Sequence, residues 1–178
     1  MKSKQTTRTL CEGGILVAVA WVLNLLRINV SALGGSINLV FIPLMVYALR
    51  RGPLWGMLAG FIFGFLKVGV SELPTIAWQS LLLDYAVAYA LVGLAGLTPK
   101  KPILGTVIGA FGCLFSFVLS GVFVWGEYMP DTFLGLTMTN AWVYAFLYNV
   151  RFTFVNWLVA AIVIGYFSKK TKLLQPEK

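Results

Sequence analysis

Apolar runs broken by short polar or charged connections organise the chain, and their lengths read as helices at about 10–26, 37–50, 53–70, 76–97, 103–125 and 141–167. About 20 apolar residues carry a helix across a hydrocarbon core. The pattern therefore predicts an all-α membrane protein of six transmembrane helices, forming one integral membrane domain over residues 1–178. The second run is short and contains Pro43, which predicts an irregular, tilted or sheltered helix. Segment 27–36, RINVSALGGS, carries turn chemistry at Gly34-Gly35-Ser36 and is expected outside, where it is positioned to cover an external pocket.

Small residues recur at helical spacing within these runs. Gly52, Gly56, Gly60 and Gly64 repeat every four residues in the third, and Gly105, Gly109 and Gly112 do something similar in the fifth. Such rows let a neighbouring backbone approach closely. Gly14 and Ala18 form a comparable small face on the first helix; packing within the chain explains any of these rows, and docking of a partner subunit is the sharper reading for this one, since a first helix is expected at the edge of the bundle.

Composition supports the membrane reading. Of 178 residues, 59% are apolar and only 11% charged, against about 25% charged in soluble domains. The net charge of +8 is explained by position. Lys2, Lys4 and Arg8, then Arg50 and Arg51, Lys100 and Lys101, and finally Lys169, Lys170, Lys172 and Lys178 all fall on one side of a six-span chain. The alternate connections carry Arg27, Glu72, Glu127 and Asp131. This positive-inside pattern predicts both termini in the cytoplasm and argues against nucleic-acid binding. Cys11 and Cys113 make no disulfide framework, and the absence of histidine removes the commonest metal ligand and general base. The run from Gly13 to Leu26 followed by Val30-Ser31-Ala32 mimics a signal peptide, but Glu12, Asn24 and Arg27 interrupt it, so it reads as the first span.

One charge is out of place. In LLLDYAVAYAL, residues 81–91, Asp84 lies inside an apolar run, where an acid is costly and needs a partner. The helix also carries Trp78, Tyr85 and Tyr89, which at α-helical spacing form one aromatic stripe beside the acid. Trp125 ends the fifth span, while Trp142, Tyr144, Tyr148 and Asn149 enter with the sixth. An acid among aromatic rings suits a flat organic cation. Asn149, Gln79 and the tyrosine hydroxyls are suited to reading a heterocycle's edge. Three alternatives stand beside this: Lys67 or Arg151 as a structural partner for Asp84, a proton-relay role for Asp84, which a single acid well inside a span argues against, and the tryptophans as an interfacial belt.

These residues carry a resemblance to a known family. LGGSINLVFIPLMVYALRRGPLWGMLAGFIFGF at 33–65, LLLDYAVAYALVGLAGL at 81–97, GVFVWGEYMP at 121–130 and YAFLYN at 144–149 together resemble the thiamine-specific substrate-binding (S) component of energy-coupling factor (ECF) transporters. The resemblance implies six helices, thiamine capture from outside, and a pocket closed by the loop between the first two helices. It implies binding roles for Asp84, Tyr85, Trp125, Tyr144 and Asn149, with Phe117 where the family has a histidine and Tyr148 beside them. Val155-Asn156 stands where the family often has Pro-Glu, and Arg151 adds a nearby cation. A thiamine precursor or another small heterocycle therefore stays open as ligand. The family further implies a transmembrane coupling subunit and two ABC-type ATPases as partners in the lipid bilayer, with docking at Gly14 and Ala18. No cofactor is expected. The chain has no GxxxxGK[ST] run to bind ATP itself, and it lacks the paired carboxylates or nucleophile-base pairs of an enzyme. A self-sufficient secondary transporter is the remaining alternative.

Overall fold

The computed structural model describes residues 2–29, 35–69 and 77–170. Val30-Ser31-Ala32, Gly34, Glu72, residue 76, Lys172, Lys178 and the tail from Gln175 lie outside the described residues. In chain order come α1 (Lys2–Leu25), strands β1 (Ile28–Asn29) and β2 (Ser36–Ile37), α2 (Phe41–Arg51), α3 (Pro53–Val68), α4 (Trp78–Leu97) and α5 (Pro102–Phe123). A small hairpin of β3 (Thr132–Phe133) and β4 (Leu136–Thr137) precedes α6 (Ala141–Lys170). Helix α1 begins eight residues before the expected span, because its polar first turns Lys2–Thr9 continue the helix beyond the apolar run.

Among the described residues, α1, α4, α5 and α6 are long and apolar enough to cross a membrane. Their outward faces carry large apolar side chains, including Phe111, Phe115, Phe154 and Ile162, as a lipid-facing surface requires. Helix α2 has 11 residues, a rise of about 16 Å. The chain before it instead forms the antiparallel pair of β1 and β2, in which Ile28 faces Ile37. Segment 35–40, of which 37–40 belong to the expected second helix, is non-helical instead. It reaches in to Asn156, fifteen residues into α6, or about 22 Å from that helix's start. Asn38 and Val40 are buried there, so much of this irregular backbone is sheltered by the protein.

The glycine rows set the packing. A Cβ on Gly60 would fall 1.9 Å from the Tyr89 carbonyl oxygen, and one on Gly64 2.3 Å from that of Tyr85. From the other side, Gly105 and Gly109 bring α5 equally close to the carbonyls of Ala95 and Val92. Helix α4 is therefore gripped by two glycine faces. Gly52 is not part of the α3 row, since its φ of 91° makes it the turn between α2 and α3. At the opposite end from the site, Glu12 of α1 is clasped by Arg50 at 2.5 Å and by Arg51. The Tyr47 hydroxyl donates to the Thr9 carbonyl at 3.0 Å, so α1 and α2 are tied together there.

Gly60→Val should force α3 off α4 and cost about 1–3 kcal/mol of stability. Gly14→Val, at a position with nothing within 4 Å, should leave stability unchanged. Thermal unfolding of the two variants in detergent checks both outcomes.

Candidate ligand-binding site

Helix α4 carries the acid. It opens as an α-turn at Trp78–Ser80, widens to π-helical bonding over Leu81–Val87, and returns to α form at Ala88–Val92. A π turn takes more residues than an α turn, so side chains beyond it are rotated relative to an unbroken helix. Ser80, Asp84, Tyr85 and Tyr89 consequently all line one cavity of about 370 Å³. Trp78 is 69% exposed instead, so the expected stripe is reduced to Tyr85 and Tyr89. Gln79 also points elsewhere, lining a separate hollow with Glu127. The widened segment is braced from α5, where the Ser116 hydroxyl donates to the Leu83 carbonyl at 2.6 Å.

Asp84 is held on one side. Its Oδ2 accepts hydrogen bonds from Ser80 Oγ at 2.5 Å, Ser120 Oγ at 2.7 Å and Trp125 Nε1 at 3.1 Å. None of these donors meets Oδ1. Among the described residues no salt bridge is found between Asp84 and Lys67 or Arg151. The Lys67 ammonium donates to the Tyr89 hydroxyl and lies over the Tyr85 and Tyr89 rings at 5.7 and 4.7 Å. The Arg151 guanidinium stacks on Phe133 at 4.6 Å and Phe152 at 5.1 Å, and Arg151 is not among the residues lining the cavity. The structural pairing considered for Asp84 is therefore not formed.

The other walls complete the cavity. Phe117 and Trp125 line it from α5 and its end, and Tyr144, Tyr148 and Asn149 from α6. Thus Asp84, Tyr85, Phe117, Trp125, Tyr144, Tyr148 and Asn149 all face one space. The Asn149 amide nitrogen donates to the carbonyls of Ala145 at 2.9 Å and Phe117 at 3.3 Å. These two bonds fix the amide's orientation and leave its oxygen as an acceptor. Trp142 lies outside, 49% exposed and edge-on to Phe123, as a belt residue would.

Sequence reasoning missed Ser80 and Ser120, although the four-residue spacing of Ser80 to Asp84 was available as a signal. It also missed the role of Asn156. That side chain accepts from the Asn38 amide at 2.9 Å and donates to the Ser36 carbonyl at 3.1 Å, strapping segment 36–38 across one side of the cavity. Gly35 packs so tightly on Phe152 that an added Cβ would meet the ring at 2.4 Å, and its φ of 84° favours glycine. Gly14 and Ala18 lie on the exposed face of α1, away from this site.

A family model described as thiamine transporter protein (Thia_YuaJ) matches residues 10–175. The thiamine transporter ThiT of Bacillus subtilis (strain 168) is 28% identical over 196 residues, covering 99% of this chain and 98% of the relative. ThiT of Lacticaseibacillus paracasei is 27% identical over 184 residues, covering 93% and 89%. The solved structure of ThiT from Listeria monocytogenes superposes with a TM-score of 0.80 at 24% identity, covering 96% of this chain and 98% of that one. That likeness establishes a common fold.

Asn156→Ala should release the strap. Amide hydrogen exchange at Asn38 is expected to rise by roughly tenfold, the equivalent of one lost hydrogen bond, with exchange in α5 unaffected.

Proposed function

The chain belongs to the thiamine transporter family, and from that premise we propose that it is the substrate-binding subunit of an ECF-type importer, capturing thiamine from outside. It is a multi-pass cell-membrane protein, and its relatives are named as transporters rather than enzymes. In this reading the chain is one membrane domain of six spans, with α2 and α3 as its short members. The basic residues Lys4, Arg8, Arg50, Arg51, Lys100, Lys101, Lys169 and Lys170 support a cytoplasmic position for both termini.

The observation that carries the ligand assignment is the one-sided hold on Asp84. Three donors stabilise Oδ2, and neither nearby cation closes a salt bridge with the acid. A permanently cationic thiazolium supplies the missing charge, and the rings of Trp125, Tyr85 and Phe117 around the cavity supply stacking and cation-π contact. Asn149 offers an acceptor for the amine of the aminopyrimidine. No cofactor of the chain's own takes part.

Transport against a gradient needs energy, which partners supply in this reading: a transmembrane coupling subunit and two ABC-type ATPases. The open face at Gly14 and Ala18, with no atom within 4 Å of a Cβ added at Gly14, is the surface we assign to docking on the coupling subunit.

Thiamine should quench the chain's tryptophan fluorescence through Trp125. Asp84→Asn should weaken thiamine by roughly ten- to a hundredfold, the range for losing a charge-assisted contact, and weaken a neutral analogue far less; equal losses would reduce Asp84 to a structural role. Replacing Gly14 and Ala18 together with leucine should leave thiamine binding intact and abolish uptake in cells that contain the partners. Surviving uptake would move docking elsewhere.

A further inference from the structure

Thr153 is 4% exposed, lines the cavity, and has no hydrogen-bond partner for its hydroxyl. A helical threonine ordinarily satisfies itself on a carbonyl one turn back, so an orphaned one in a cavity wall needs a physical reason. It sits four residues after Asn149 on α6 and thus on the same helix face. That face presents a fixed amide-oxygen acceptor and, one turn on, a hydroxyl without a partner that its neighbours enclose, which a change between the two χ1 rotamers open to a helical threonine turns toward the cavity that Thr153 lines. Asp84 belongs to a separate wall, built by α4.

An aminopyrimidine matches the α6 wall: its amine donates and its ring nitrogens accept. We infer that Thr153 is a specificity-determining contact whose hydroxyl donates to a ring nitrogen of the ligand's neutral pyrimidine, while Asn149 accepts from the amine and Asp84 holds the cationic ring. This rests on the thiamine reading above. It divides recognition between two walls, charge on α4 and hydrogen-bond pattern on α6.

The test uses the full chain in detergent and two probes, thiamine and an analogue with an aminophenyl ring, which keeps the amine and removes the ring nitrogens. Thr153→Val, close in shape but without the hydroxyl, should weaken thiamine by roughly tenfold and leave analogue binding at the wild-type level. Thr153→Ser should restore thiamine binding. Unchanged thiamine binding in Thr153→Val, or equal losses for both probes, would overturn the inference while leaving the thiamine reading standing. A wild-type chain that does not bind thiamine would overturn both.

Discussion

A carboxylate inside a bilayer is costly unless something answers its charge, and around Asp84 only half of that answer comes from the protein. Two serines and an indole converge on Oδ2. Hydrogen bonds of this kind stabilise an anion without neutralising it. The two cations whose place within or near apolar sequence suggests neutralisation are engaged with aromatic rings instead, Lys67 on Tyr85 and Tyr89 and Arg151 on Phe133 and Phe152. The result is an oriented negative charge at the wall of an aromatic cavity, which favours a cationic guest over a neutral one of equal shape.

Holding such a charge in place demands a rigid helix, and the fold provides it through close backbone packing. Gly60 and Gly64 of α3 and Gly105 and Gly109 of α5 press α4 from two sides. Just ahead of the contacts at Tyr89, Val92 and Ala95, the π-helical stretch Leu81–Val87 turns Asp84 and Tyr85 together into the cavity. The short α2 then leaves room for the non-helical segment 35–40, which Asn156 straps beside the site. Each irregular feature lies where the cavity needs a wall, while the Glu12 clasp with Arg50 and Arg51 keeps α1 and α2 joined at the far end.

Much of this was legible in the sequence because membrane helices announce themselves by apolar length, and because an acid in such a run stands out. Asp84, Trp125, Tyr144 and Asn149 were found that way and share one cavity. What failed depended on local geometry. Trp78 was assigned to the aromatic stripe by α-helical periodicity, which the π segment breaks. Gly52 fitted a four-residue row but serves as a turn, because the chain reverses between α2 and α3. Ser120 gives no signal and Asn156 none beyond its place where the resembled family often has Glu, since small polar residues are common in membrane helices and the meaning of these two comes from neighbours 36 and 120 residues away in the chain.

The most direct measurement is a high-resolution structure of the chain with thiamine bound. The account requires the positively charged ring to sit against Oδ1 of Asp84, with Ser80, Ser120 and Trp125 still on Oδ2. A carboxylate salt-bridged to Lys67 or Arg151, with the vitamin bound elsewhere, would contradict it.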